Sequence, residues 1–281
     1  MGRVWRCGPF LLDRGRPLVM GIVNTTPDSF SDGGVNFDPR AAIVSAQAML
    51  AGGADIIDVG GESTRPGSEA VPIVEELERV LAVVRDLAAG GAVVSIDTRH
   101  ATVASACVAS GAAIINDITG FSDPAMIDVA TSCGAGLVVM HMQGEPRTMQ
   151  EEPHYEDVVA EVAEYLRARV ATLVAAGIDP MRIAVDPGIG FGKTTEHNLA
   201  LLRRLDEVVA LGYPVLVGVS RKRLIGELTG LAEPRDRVAG SVAAAVDAAR
   251  RGAAVLRVHD VRETVEALVV TRAIQGEEVA R

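Results

Sequence analysis

Aromatic residues are scarce in this chain, with one Trp, three Tyr and five Phe among 281 residues, 3% in all. A core of that size must be aliphatic, and a hydrophobic content of 48% supplies Val, Ile, Leu and Ala for it. Cysteine is as rare. Cys7, Cys107 and Cys133 are an odd number without metal-ligand spacing, which excludes a disulfide framework and points to a reduced, cytoplasmic protein. Positive charge is in deficit, 27 Lys and Arg against 37 Asp and Glu, for a net charge of −10. That balance excludes a surface gripping nucleic acid non-specifically, so an anionic ligand must be held by a local cluster of Arg and Lys. No run approaches the roughly 18 apolar residues of a membrane span. The start, Met-Gly-Arg-Val-Trp-Arg, has neither the apolar core of a signal peptide nor the Ser or Thr of a myristoylation signal.

What the chain does have is a repeated plan. Ile183 to Asp186 is a short apolar run that ends on a carboxylate and breaks into Pro187-Gly-Ile-Gly-Phe-Gly-Lys193. Continuous apolar residues suit a strand buried on both faces, and the Pro and alternating glycines end it. The same plan recurs at Leu18 to Val23 before Asn24, at Asp55 to Gly60 before Gly61-Glu62, and at Val93 to Ile96 before Asp97. It recurs again at Ile114-Ile115 before Asn116-Asp117, at Leu137 to Met140 before His141, at Val215 to Val219 before Ser220-Arg-Lys222, and at Ala254 to Val258 around Arg257. Helical patterns separate them. They include one opened by Asp38-Pro39, one from Pro72 with Val74, Leu77, Leu81 and Val84, one over 155–176, one over 196–211, one over 236–250 and a last one after Val261. Eight strands alternating with helices predict parallel pairing and a closed (β/α)8 TIM barrel, a single domain over 1–281. A doubly wound open sheet is the runner-up, and it lacks its glycine fingerprint after the first strand. Residues 1–17, with turns at Gly8-Pro9 and Asp13-Arg14-Gly15, predict a hairpin plugging the bottom of the barrel.

Polar residues therefore gather where barrels keep their ligands, at the C-terminal ends of strands. A single one is usually a turn former, but eight strands each delivering one make an active-site mouth. Asn116 and Asp117 also suit a turn cap, and His141, between Met140 and Met142, reads best as a hydrogen-bonded core histidine. Alternation buries Arg257, a charge that needs an anion or carboxylate partner. Gly192-Lys193-Thr194 mimics the end of a phosphate-binding P-loop, but Pro187 stands where that motif needs glycine.

Taken together, Met20-Gly-Ile-Val-Asn-Thr-Thr-Pro-Asp-Ser-Phe-Ser-Asp-Gly-Gly34, Asp58-Val-Gly-Gly-Glu-Ser-Thr-Arg-Pro-Gly67, Ser95-Ile-Asp-Thr98, Asn116-Asp117, Asp186-Pro-Gly-Ile-Gly-Phe-Gly192, Ser220-Arg-Lys222 and Arg257-Val-His-Asp260 resemble the dihydropteroate synthase family, in order and over nearly the whole chain. The resemblance implies condensation of 6-hydroxymethyl-7,8-dihydropterin diphosphate with 4-aminobenzoate to dihydropteroate and pyrophosphate. It further implies Mg2+, a homodimer and a sulfonamide target, with no nucleic-acid or membrane partner. By the same resemblance, Asp186, Asp97 and Asn116 hold the pterin, Lys222 reaches its carbonyl, and Ile118, Met140, Phe191 and Gly218 line it. Asn24 gives an oxygen to the metal. Thr64, Arg65, Arg257 and His259 hold the diphosphate, and Ser220 with Lys222 lines the aminobenzoate path. Independently of the resemblance, the Gly-, Ser-, Thr- and Pro-rich stretches Thr25 to Val35 and Ser63 to Ser68 are longer than turns need, and once pyrophosphate and Mg2+ order them Phe30, Thr64, Pro66 and Ser220 are expected to form the aminobenzoate site. Asp97, Lys222, Arg257 and His259 are the expected catalytic group. A corrinoid-linked methyltetrahydrofolate methyltransferase would share the Asp and Asn pocket without needing the 62–67 stretch or Arg257 to His259, and a non-catalytic paralogue is the other alternative.

Overall fold

The structure, a computed structural model, describes residues 4–25, 38–63, 71–145 and 147–276. Phe30, Thr64, Arg65 and Pro66 lie outside the described residues. An antiparallel hairpin comes first, β1 (Val4–Cys7) and β2 (Phe10–Asp13). The remaining strands are β3 (Leu18–Asn24), β4 (Ile56–Gly60), β5 (Val94–Asp97), β6 (Ile114–Asp117), β7 (Gly136–Met140), β8 (Ile183–Asp186), β9 (Leu216–Val217) and β10 (Val255–Val258). All eight run parallel in the order β8-β7-β6-β5-β4-β3-β10-β9. The two ends meet where Val185 bridges Val215 and the Val185 N–H donates to Pro214 O at 2.9 Å, so the sheet curls into the expected barrel.

Alternation along each strand sorts the aliphatic residues into two layers. Val19, Ile57, Ile96, Ile115, Val139, Val185 and Leu256 point out and pack against the helices. Met20, Ile56, Ile114, Val138, Ala184, Leu216 and Val255 point in and fill the lower barrel, where Trp5 and Cys7 join them. Each such side chain contributes about 1.5–3 kcal/mol by leaving water. The hairpin is fastened to the N-terminal ends of the strands. Trp5 Nε1 donates to Arg182 O at 2.9 Å, the Gly8 N–H donates to Gly134 O at 2.9 Å, and Arg6 pairs with Asp179 at 2.8 Å. The hairpin thus closes the bottom of the barrel among the described residues.

Three helix expectations need correction. Val74 was expected on a buried face but is 68% exposed, and the buried stripe of helix Ile73–Ala89 is Glu76, Val80, Val83, Val84 and Leu87. The single helix expected over 196–211 is two, Thr195–Arg203 and Leu205–Val209, separated at Arg204, whose guanidinium holds Asp157 at 3.0 Å and Glu207 at 2.6 Å. The helix expected from Tyr155 begins at Val158, because the Asp157 side chain accepts from the Val159 and Ala160 N–H groups and caps it there.

Candidate active site

Strand register sets the level of each side chain at the mouth. Asn24 lies opposite Gly60, Gly60 opposite Asp97, and Asp97 opposite Asn116. Across the barrel Met140 lies opposite Asp186. Glycine at 60 leaves the space between Asn24 Oδ1 and the Asp97 carboxylate clear, since both lie within 4 Å of where its Cβ would stand.

Arg257 reaches across this floor from β10. Its Nε donates to Asp58 Oδ2 at 2.6 Å and its Nη2 to Asp97 Oδ2 at 2.6 Å, while Asn116 Nδ2 donates to the same Asp58 oxygen at 3.2 Å. Burial works against the guanidinium charge, but Asp58 and Asp97 outweigh it and leave its pKa raised. Asp97 has its carboxyl pKa raised by burial, and the charges of Asp58 and Glu76 add to that against the pull of Arg257. The carboxylates outnumber the guanidinium, and Asp58 Oδ1 and Asp97 Oδ1 are buried without a hydrogen-bond partner. No sequence reading gave Asp58 a role. The available signal was its alternation with Ile56 and Gly60, which points an acid into the barrel.

Opposite them, Asp186 is buried and accepts at Oδ1 from the Gly188 N–H at 2.7 Å. Burial raises its pKa, with Lys222 pulling the other way. The loop after it lies so close to the end of β7 that a Cβ on Gly188 would fall 1.9 Å from His141 O, and one on Gly192 would fall 2.3 Å from Gln143 O; both have positive φ. Only glycine fits there. Lys222 Nζ donates to Ile189 O and stands 4.5 Å above the Phe191 ring. Burial lowers its pKa to about 8, although Asp186 acts to raise it. Ser220 Oγ lies 3.1 Å from His259 Nδ1 and accepts from the His259 N–H at 3.2 Å. Arg221, which lies between Ser220 and Lys222 in sequence and has φ 59°, turns aside to Asp260 at 3.1 Å. Ile118 and Met140 are buried at the ends of β6 and β7, and Gly218 leaves room beside the Arg257 stem. His141 is a core histidine: its Nδ1 lies 2.9 Å from Lys193 Nζ, and its ring packs edge-on against Tyr165 with centroids 4.8 Å apart.

Behind β4, Arg99 forks onto Glu62, Nε to Oε2 at 3.1 Å and Nη2 to Oε1 at 2.9 Å. The Val71 N–H also donates to Glu62 Oε1 at 3.3 Å, so one carboxylate ties together the residues on either side of 64–70. His100 Nε2 lies 3.6 Å from Glu62 and 3.8 Å from Glu76, and one ligand atom of each of the three falls within 4.8 Å of the others. The group could hold an ion, but the Arg99 charge beside Glu62 opposes a cation. Glu76 is fully buried with Thr98 and the His100 ring beside its carboxyl, and burial pushes its pKa up to about 7 against the pull of the Thr98 hydroxyl. A raised carboxyl pKa contributes stability that is present below the unfolded value of about 4.5 and is lost as pH climbs through about 7. Glu76→Gln is therefore expected to stabilise the fold by roughly 1–3 kcal/mol at pH 8 and by little at pH 5, the scale of a shift of two to three pH units. Thermal melts at the two pH values check this, and an equal effect at both would show that Glu76 is not protonated on folding.

These features define a (β/α)8-barrel enzyme with an acid-lined floor, one lysine over an aromatic wall and a cationic strand end. Residues 20–259 match the family described as pterin binding enzyme. The chain is 49% identical to the dihydropteroate synthase of Neisseria meningitidis serogroup B over 96% of its length and 97% of that protein. Its fold matches the Xanthomonas albilineans dihydropteroate synthase solved with 4-aminobenzoic acid at TM-score 0.93 and 48% identity, covering 99% of this chain and 100% of that one. It also matches the Burkholderia cenocepacia dihydropteroate synthase complexed with 7,8-dihydropteroate at TM-score 0.89 and 46% identity, over 97% and 96% of the two chains. The chain belongs to the pterin-binding enzyme family, among the dihydropteroate synthases. That sets aside the corrinoid-linked alternative.

Proposed function

We infer that this protein catalyses the dihydropteroate synthase reaction, a transfer of the pterinylmethyl group from diphosphate to the amine of 4-aminobenzoate. The observation that carries the reading is the donor-poor floor. Asp186, Asp97 and Asp58 present more acceptor oxygens than Arg257 and Asn116 occupy, and a pterin presents ring N–H groups and an exocyclic amine side by side. Asp186, Asp97 and Asn116 bind those edges, Lys222 donates to the pterin carbonyl, and Ile118, Met140, Phe191 and Gly218 form the walls. Arg257 and His259, with Thr64 and Arg65 from the 64–70 stretch, hold the diphosphate, for which the Arg fork suits two phosphate oxygens.

In the reaction the C–O bond between the pterin methylene and the diphosphate breaks, the amine nitrogen bonds to that carbon, and the nitrogen gives its proton to water or to the departing pyrophosphate. The methylene cation is stabilised by the electron-rich ring, so the site has to stabilise opposite charges in two places. Asp97 offsets the cation, and Arg257 and His259 offset the departing anion. A neutral aromatic amine is nucleophilic as it stands, and no general base is needed.

The oxygen donors at the end of β3 fit Mg2+, a cation that prefers carboxylate, amide and phosphate oxygens. Asn24 Oδ1 would hold it beside Gly60, and when bound it supplies positive charge to the leaving diphosphate. No described helix is long and apolar enough to cross a membrane, and we place the enzyme in the cytoplasm as one domain over 1–281. Exposed Val269, Val270 and Ile274 on helix Val261–Ile274 offer apolar surface to a second copy in the homodimer.

The aminobenzoate site, assigned to Phe30, Thr64, Pro66 and Ser220, is expected to form only after the diphosphate end is filled. Equilibrium dialysis should show 4-aminobenzoate binding with pyrophosphate, Mg2+ and a pterin present, and at least ~10-fold weaker binding without them, the effect of assembling a site from a fractionally populated state. Equal binding in both conditions would refute the ordered mechanism.

A further inference from the structure

Every carbonyl from Gly188 to Gly192 accepts a side-chain hydrogen bond. Ile189 O is held by Lys222 Nζ, Gly190 O by Gln150 Nε2 at 2.8 Å and Gly192 O by Tyr155 Oη at 2.8 Å. The other two, Gly188 O at 3.0 Å and Phe191 O at 2.9 Å, share one donor, Lys193 Nζ. Lys193 is 2% exposed, and the same nitrogen lies 2.9 Å from His141 Nδ1 and 3.4 Å from His141 O. In its charged form Lys193 has three N–H groups, and three acceptors surround the nitrogen at 3.0 Å or less, which favours that form although burial lowers its pKa to about 7. The match requires His141 to be neutral with its proton on Nε2. Burial, with the Lys193 charge added, lowers the His141 pKa to about 3.

The two carbonyls that Lys193 holds belong to residues with other duties. Gly188 donates its N–H to Asp186 Oδ1, and Phe191 lies under the Lys222 ammonium. We propose that Lys193, braced by His141, is the positioning residue for pterin recognition: it fixes the loop that sets the Asp186 carboxylate on one side and the Phe191–Lys222 pair on the other. It touches no substrate. The inference rests on the reading of Asp186 as the pterin-binding carboxylate.

The test compares three variants by steady-state kinetics and by calorimetry with a pterin analogue. Lys193→Met keeps the length of the chain and removes all its donors. It is expected to raise KM for the dihydropterin diphosphate by ~10–100-fold while kcat changes by less than ~3-fold, because a loosened loop weakens substrate and transition state alike. KM for 4-aminobenzoate should stay within ~3-fold. His141→Leu leaves Lys193 two of its three strong bonds and should raise the pterin KM by a smaller factor, ~3–10-fold, so the proposal stays testable if Lys193→Met does not fold. A fall in kcat at unchanged pterin KM in the folded variants would overturn the proposal, since that pattern reports an interaction made only in the transition state and not the positioning of bound pterin. Asp186→Asn is the control. If it loses pterin affinity and the Lys193 and His141 variants do not, this inference alone fails; if it keeps that affinity, the reading beneath it fails and takes this inference with it.

Discussion

Asp186→Asn is expected to weaken the binding of a pterin analogue by roughly 2–4 kcal/mol, a loss of one and a half to three orders of magnitude in affinity. The carboxylate is buried and takes one bond from the Gly188 N–H through Oδ1, which leaves Oδ2 and the remaining lone pair of Oδ1 toward the mouth. An amide of the same shape keeps one acceptor and turns the other into a donor facing the donors of the pterin. The fold should tolerate the change, because burial already raises the Asp186 pKa and a neutral side chain removes that burden. Calorimetric titration measures the effect, and unchanged affinity would move the pterin elsewhere in the mouth.

The second large effect is at Arg257. Arg257→Ala is expected to abolish binding of pyrophosphate and to spare that of an uncharged hydroxymethylpterin. It also leaves Asp58 and Asp97 without their common cation, and a buried pair broken from one side costs about 3–5 kcal/mol of stability. Asp97, raised already, would take up a proton more readily still, so the loss should be greater at pH 8 than at pH 5.5. Pairing the change with Asp58→Asn should recover much of the stability and none of the pyrophosphate binding. If pyrophosphate and hydroxymethylpterin weaken together in the stabilised double variant, Arg257 supports the barrel and does not hold the anion.

The outline of the molecule was legible because it is written in local pattern. Eight apolar runs ending on Asn24, Gly60, Asp97, Asn116, Met140, Asp186, the Ser220 loop and Arg257 carry both the barrel and the position of its mouth. What the pattern does not carry is pairing. That Arg257 is shared by Asp58 and Asp97 depends on contacts spanning 199 and 160 residues, and nothing near Asp58 announces them. An acid in the first turn of an amphipathic helix normally faces water, whereas Glu76 packs inward against Gly61, whose missing Cβ leaves room for it, and Val74 lies outside. Gly192-Lys193-Thr194 resembles a P-loop end and fails that motif at Pro187, while the contact that makes Lys193 a brace is with His141, 52 residues away. Charges buried in the interior obey partners brought by the fold, and those are set by register and closure of the sheet.

One barrel mouth joins a pterin to an aromatic amine with loss of diphosphate. Pyrophosphate release by the purified protein, followed with 6-hydroxymethyl-7,8-dihydropterin diphosphate, 4-aminobenzoate and Mg2+, tests it most directly. Release should require both organic substrates, match dihydropteroate mole for mole, and collapse in Asp186→Asn. Release that proceeds without 4-aminobenzoate, or no release from folded protein that binds both substrates, would contradict it.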